Sequence, residues 1–219
     1  VESGPASGVF GAIALGKVIG KNNLIVLDIG GTTAKCALVE NGQVKITTNY
    51  KIEHSRTQAG YPIQTPVIDI VEIGNGGGSI AWLDQGGKMH VGPKSAGAMP
   101  GPAAYGRGGK NLTTTDANIL TGRIHPDYFL GGDLQPDYQS IEIAARPLCE
   151  LLKGDKVDVA KGILRIANAN MINALKLISV NKGYDPRDFT MVVIGGGGAM
   201  HGADLARELQ VSELIVPPH

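Results

Sequence analysis

The sequence predicts an α/β fold, a mixed sheet flanked by helices, on three observations. Its C-terminal part runs apolar strand, glycine loop, amphipathic helix and apolar strand, a βαβ unit that implies parallel strands. Its N-terminal part runs helix, strand, loop, strand and hairpin, a meander whose strands are antiparallel. Glycine supplies 32 of the 219 residues, about twice the usual share of roughly 7%. Those glycines gather in loops and follow no repeat, which points to tight turns and close ligand approach rather than disorder.

The elements follow in order. Residues 5–19 read as a small-residue helix, with Pro5 suited to a first turn. Lys21, Asn22 and Asn23 break it, and residues 24–27 form a continuous apolar run typical of a buried strand. After the loop DIGGTT at 28–33, residues 35–39 make a second strand. Asn41 and Gly42 then signal a type I′ hairpin into a third strand at 43–48. The middle of the chain is glycine-rich and strand-poor. Residues 67–73 alternate until the glycine run at 74–78 stops them, and 79–84 with 88–91 read as a hairpin around Gly86 and Gly87. Residues 92–109 form a long loop, of a size that is usually functional or disordered; Tyr105 and Arg107 within it favour function or packing.

The clearest helix lies at 157–182. Ala160, Ile163, Leu164, Ala167, Met171, Ala174, Leu175 and Ile178 fall on one face at helical spacing, and Lys182 with Gly183 ends it. Asn168 and Asn170 on its polar face read as solvated or structural. A buried strand at 191–194 runs into Gly195, Gly196, Gly197 and Gly198. A helix at 199–209 and a strand at 214–216 close the chain.

Several function classes are excluded. Acidic and basic residues balance at 20 each, so net charge favours neither nucleic acid nor an anionic membrane. No apolar run approaches the roughly 18 residues of a membrane span. Cys36 and Cys149 lack companions at metal-ligand spacing and read as free thiols of a reducing, cytoplasmic setting. There is no P-loop, no G-x-G-x-x-G, no HExxH and no G-x-S-x-G. The chain begins at Val1, without a methionine and close to helix-like sequence, and ends at 216–219 where a strand is leaving, so both ends read as cut from a longer protein.

The two glycine loops that leave apolar strands carry the chemistry. At Gly30 and Gly31 no Cβ stands between backbone N–H groups and an anion, and Thr32 and Thr33 add hydroxyls. Asp28, at the strand end, suits a magnesium–water shell bridging phosphates; the plainer alternative is a tight turn capped by Asp28. Gly195 to Gly198 meet a helix N-terminus, which favours phosphate, or let adenine or ribose lie flat on the backbone. The plainer alternative there is a βα turn packed closely on the sheet. His201, in the first turn of that helix, reads as a cap or packing residue.

In their order, the ESGPA-led helix, the DIGGTT loop and the late glycine loop resemble the second lobe of actin-like (ribonuclease H-like) ATPases. The closer resemblance, over nearly the whole chain, is to the hydantoinase/oxoprolinase family. ESGPA at 2–6 is similar to that family's ESGPAGG, and GNGGGS at 74–79 to its GAGGGS. The loop at 91–109 is similar to VGPxSAGAxPGPxCYGRGG, while Thr115 to Asn118 with Gly122 and Arg123 match TDAN…GR. The resemblance implies that residues 1–219 are the second lobe, with a glycine-rich insertion at about 55–150. It also implies ATP-dependent hydrolysis of a cyclic amide, a hydantoin or 5-oxoproline ring, through a phosphorylated intermediate. Alternatives are a ketone carboxylase subunit, a non-catalytic nucleotide-binding module and, less in keeping with the middle loops, a carbohydrate kinase-like enzyme. ATP and Mg2+ are the implied cofactors. Asp28 would hold the metal, and Gly30, Gly31, Thr32, Thr33 and Lys35 the phosphates. Gly195, Gly196, Gly197 and Gly198 would face adenosine, with Asp116 and the 92–109 loop near the substrate. The missing N-terminal lobe and a hydantoinase B-like subunit are the implied partners. Departures are Lys35 where a second aspartate is usual, Met99 for Asp, Ala104 for Cys, and GGGGAMHG for GGAGPLHA.

Overall fold

In the computed structural model, residues 3–47, 50–52, 61–63 and 66–217 are described. Helix α1 (Ser3–Ile19) has Pro5 in its first turn, where the missing amide costs no hydrogen bond. Strands β1 (Leu24–Ile29) and β2 (Ala34–Glu40) follow. Asn41 and Gly42 take φ of 53° and 74°, the two positive values a type I′ turn needs, and lead into β3 (Gln43–Val44).

The single strand expected at 43–48 is corrected here. It divides at Lys45, whose carbonyl accepts from Asp69 N–H at 2.8 Å, and the chain leaves β2. It goes on as β4 (Ile46–Thr47), β5 (Tyr50–Ile52), β6 (Tyr61–Ile63) and β7 (Val67–Ile68), with β4 paired to β7 and β5 to β6. Residue 48, its expected end, and residues 53–60, where the insertion was expected to begin, lie outside the described residues. Strand β8 (Ile70–Ile73) returns to β2, opposite Ala34 to Ala37. The expected hairpin is β9 (Ser79–Leu83) with β10 (Met89–Ser95).

Two helices stand where none was expected, α2 (Thr114–Leu120) and α3 (Tyr138–Leu152). The first is short and polar, and the second contains Pro147, which reads as a helix breaker. Helix α4 (Lys156–Ile178) starts at Asp155, whose carboxylate accepts from Val157 and Asp158 N–H, both at 2.8 Å. It stops at Ile178 rather than 182. Ser179 breaks helical geometry there, its hydroxyl donating to the Leu175 carbonyl at 2.7 Å, and Val180–Lys182 is a separate 3-10 turn. Strand β11 (Thr190–Ile194), helix α5 (Gly198–Leu209) and strand β12 (Glu213–Ile215) complete the βαβ unit.

The main sheet is mixed, in the order β12-β11-β1-β2-β3 with β8 also on β2. Strands β12, β11 and β1 are parallel; β1, β2, β3 and β8 pair antiparallel. Leu24, Val26, Ala37, Val39 and Val192 face Val9, Ala12 and Ile13 of α1. Ile25, Leu27, Ile29, Met191 and Val193 face the other way, into a core shared with Ile163, Met171 and Leu175 of α4 and Leu205 of α5. Burial on both faces explains the unbroken apolar run of β1.

Candidate functional site

Strands β1 and β11 run parallel with Asp28 level with Ile194, so the loops that follow them leave the sheet at the same edge. That carboxyl edge is where open α/β sheets hold ligands. The two sequence-predicted loops are therefore brought together. Gly197 N–H donates to the Ile29 carbonyl at 2.9 Å, and Gly30 N–H closes its own loop on Thr33 at 3.0 Å. Gly195 has φ of 78°, and a Cβ there would strike the Asp28 carboxylate and come within 2.6 Å of the Ile29 carbonyl oxygen. Only glycine fits that seat.

A third glycine loop packs on the first, and sequence reasoning had not assigned it to the site. Gly77 and Gly78 N–H donate to the carbonyls of Gly30 and Gly31 at 3.0 and 2.6 Å. A Cβ on Gly76 would lie 2.6 Å from the Gly30 carbonyl oxygen and 2.7 Å from the carbonyl carbon of Thr32. The signal was visible, since 74–78 is a glycine run directly after a strand, as in the other two loops. The expected substrate loop arrives beside it. Ala96 N–H donates to the Gly78 carbonyl at 2.8 Å, and Ser95 and Gly97 border Gly78. Met99 stands 74% exposed at that loop's tip.

With the Gly30 and Gly31 carbonyls engaged, the N–H groups of Gly31 and Thr32 donate to no protein acceptor among the described residues. The same holds for Gly196 and for Ala199 in the uncapped first turn of α5. Exposed Thr32 and half-buried Thr33 line the rim. Unpaired backbone donors on two neighbouring loops, beside a helix N-terminus, are groups of the kind that can take an anion.

Asp28 is half-buried, and its carboxylate has no hydrogen bond or ion pair among the described residues. Lys35 lies directly opposite it in the β1–β2 ladder, and Glu72 opposite Lys35 in the β2–β8 ladder. The three side chains share one sheet face, and Lys35 Nζ is 3.2 Å from Glu72 Oε1. No cluster of three or more His, Cys, Asp or Glu stands among the described residues. A metal at Asp28 would therefore take one protein carboxylate, with water and phosphate oxygens completing its shell, which suits Mg2+.

Asp116 is fully buried and its oxygens are occupied. They accept from the N–H groups of Ala103, Ala104 and Thr113 at 3.2, 2.8 and 2.8 Å and from the Thr113 hydroxyl at 2.8 Å. Burial raises its pKa against the pull of those donors. In this geometry Asp116 caps α2 and ties it to the Ala103–Tyr105 turn, and the carboxylate does not open onto the glycine loops. His201 is 2% exposed, with Nδ1 at 2.7 Å from Asn168 Oδ1 and Nε2 at 3.4 Å from Asn118 Nδ2. Burial, helped by the Arg123 charge, lowers its pKa to about 4, so the ring is neutral at pH 7. Asn170 donates to the Val91 carbonyl at 3.3 Å, so Asn168 and Asn170 are both engaged in structural contacts. Beside α5, a cavity of about 860 Å³ is lined by Arg123, Arg165, Asn168 and Asp204 over a floor that includes Leu164 and Leu205.

The family model described as "Hydantoinase/oxoprolinase" matches residues 1–219. Among curated proteins, the caprolactamase subunit alpha of Pseudomonas jessenii is 36% identical over 99% of this chain and 30% of its own length. The 5-oxoprolinase of Saccharomyces cerevisiae is 33% identical over 99% of this chain and 17% of its own. The crystal structure of the ATP-dependent caprolactamase from Pseudomonas jessenii superposes with a TM-score of 0.88 at 35% identity, over 99% of this chain and 31% of that one. A nucleotide-free acetone carboxylase, from a study of ATP-dependent acetone carboxylation, gives 0.87 at 30% identity, over 98% and 30%. The chain thus spans about a third or less of the length of these relatives.

Proposed function

The chain belongs to the hydantoinase/oxoprolinase family, and from that premise we propose that it forms one lobe of the ATP site of an enzyme that opens a cyclic amide. The observation that carries this reading is the meeting of three glycine loops at the carboxyl edge of β1 and β11, beside the unpaired carboxylate of Asp28. ATP supplies the phosphoryl group that turns an unreactive ring amide into an electrophile. The chain's own residues hold and neutralise. The N–H groups of Gly31 and Thr32 and the hydroxyls of Thr32 and Thr33 take the terminal phosphate oxygens, for which Gly30 keeps the loop narrow. Asp28 would hold Mg2+, and Lys35, steadied by Glu72, adds a fixed positive charge. Gly195, Gly196, Gly197 and Gly198 face adenosine, and a cavity of about 300 Å³ lined by Arg123, Ala199 and Met200 adjoins the end of that loop. The loop around Ser95 and Met99 lies on the substrate side. Catalysis by such a site is mainly positioning and charge stabilisation.

In relatives about three times as long, the remaining length has room for an opposing lobe, and we assign the second jaw of the clamp to it. A hydantoinase B-like subunit completes the assembly in the same reading, in keeping with relatives that are named as subunits. The second reading, a ketone carboxylase, draws support from the likeness to acetone carboxylase, whose TM-score of 0.87 is level with the 0.88 to caprolactamase.

Phosphate release by the full-length protein separates these readings. Stimulation by a hydantoin, 5-oxoproline or a lactam supports the amidohydrolase. Stimulation only by a ketone with bicarbonate replaces it with the carboxylase, and nucleotide binding without stimulation by either replaces both with a non-catalytic module.

A further inference from the structure

The loops of the site are joined by a ring of hydrogen bonds that runs through α2. The Gly30 carbonyl accepts from Gly77 N–H at 3.0 Å, and the Gly77 carbonyl accepts from Thr115 N–H, in the first turn of α2, at 2.7 Å. One turn on, Asn118 Nδ2 meets His201 Nε2 of α5 at 3.4 Å. Arg123 N–H donates to the Asn118 carbonyl at 2.9 Å. Its guanidinium sends one nitrogen to the Met200 carbonyl and another to the Asp204 carboxylate, both at 2.7 Å. Gly197 N–H closes the ring on the Ile29 carbonyl, next to Gly30.

We propose that α2 is a strut that sets the glycine loop at 195–198 relative to the phosphate loop at 28–33, with Arg123 as the positioning residue on the adenosine side. The proposal rests on the nucleotide reading above and adds to it a determinant that touches neither phosphate loop. Each joint of the strut is held by direct contacts. Asp116 locks the start of α2 through four accepted hydrogen bonds. At its end, the neutral His201 donates from Nδ1 to Asn168 Oδ1 and accepts at Nε2 from Asn118, a tautomer consistent with both contacts. Asn168 in turn donates to Asp204 at 3.3 Å, so α2, α4 and α5 meet at one polar knot. Arg123 is the joint open to test, because its side chain is a third exposed and its loss leaves no buried charge.

The test compares Arg123→Gln and Arg123→Lys with wild type in the full-length protein, by equilibrium affinity for ATP and for pyrophosphate in the presence of Mg2+. Losing two charge-assisted hydrogen bonds to α5 is expected to weaken ATP binding by about ten-fold or more. Pyrophosphate, which the reading above places at Gly31 to Thr33 and not against the 195–198 loop, is expected to bind as in wild type. Lys, with a single point of contact in place of a fork, is expected to fall between. Unchanged ATP affinity in Arg123→Gln overturns the strut. An equal loss of ATP and pyrophosphate affinity also overturns it, since the effect is then general. A wild-type protein that binds neither ligand overturns the nucleotide reading and the strut with it.

Discussion

At the scale of single residues, the site depends on places where no side chain fits and on charges without partners. Gly76 is the sharper case, since a Cβ there meets the backbone of Gly30 and Thr32, which cannot swing aside. Gly76→Ala is therefore expected to displace the phosphate loop, with a stability loss of about 1–3 kcal/mol. ATP affinity is expected to fall further than thermal stability does, and titration beside a melting curve checks the two. His201 gives a pH prediction. Its folded pKa of about 4 lies below the ordinary 6.5, so the unfolded chain binds the proton more readily. The stability it contributes is whole above pH 6.5 and is lost as pH falls towards 4, about 3 kcal/mol in full. Denaturant midpoints between pH 7 and 4 should show that slope in wild type and lose it in His201→Asn. Equal slopes would clear His201 of the effect. The thiol of Cys36, pushed up to about 12 by burial, is expected to resist thiol reagents in the native protein.

At the scale of elements, what sequence could show depended on whether the signal was local. Helix α4 and the β11–α5–β12 unit were legible because apolar periodicity and glycine punctuation are written within a few residues of each other. The split of the third strand at Lys45 was not, since it follows from a bond to Asp69, far along the chain. Helix α3 was hidden by Pro147, and α2 by its length and its polar residues, whose partners lie in other elements. The same reason hid the third glycine loop: the run at 74–78 was plain, but its seat on Gly30 and Gly31 is a tertiary fact. Asp28 and the two loops stood out in the sequence as candidates, whereas the anchoring contacts of Asp116 needed its four donors to be seen. Asp116→Asn turns an amide NH2 towards N–H donors and is expected to cost about 2 kcal/mol or more of stability. A urea titration checks it; a variant of wild-type stability that has lost only turnover would return Asp116 to the chemistry.

At the scale of the whole molecule, the fold holds its site open on one side. Helix α1 buries Val9, Ala12 and Ile13 against the sheet yet leaves Phe10 and Val18 55% and 85% exposed. Large apolar side chains on the outer face of a helix suit a position between two layers, which fits the clamp proposed above, its other jaw assigned to the remaining length of the longer relatives. In the sheet, Asp28 and Lys35 share the face that α1 covers, while the cavity beside Arg123 lies on the α4 and α5 side. In the reading proposed above, these residues are half of an ATP site and not a whole one. Its most direct test is ATP turnover by the isolated 219 residues beside the full-length protein, each with and without Asp28→Ala. The full-length protein is expected to turn over ATP and to lose this on Asp28→Ala, while the isolated chain shows little turnover in either form. Robust hydrolysis by the isolated chain, abolished by Asp28→Ala, would contradict it.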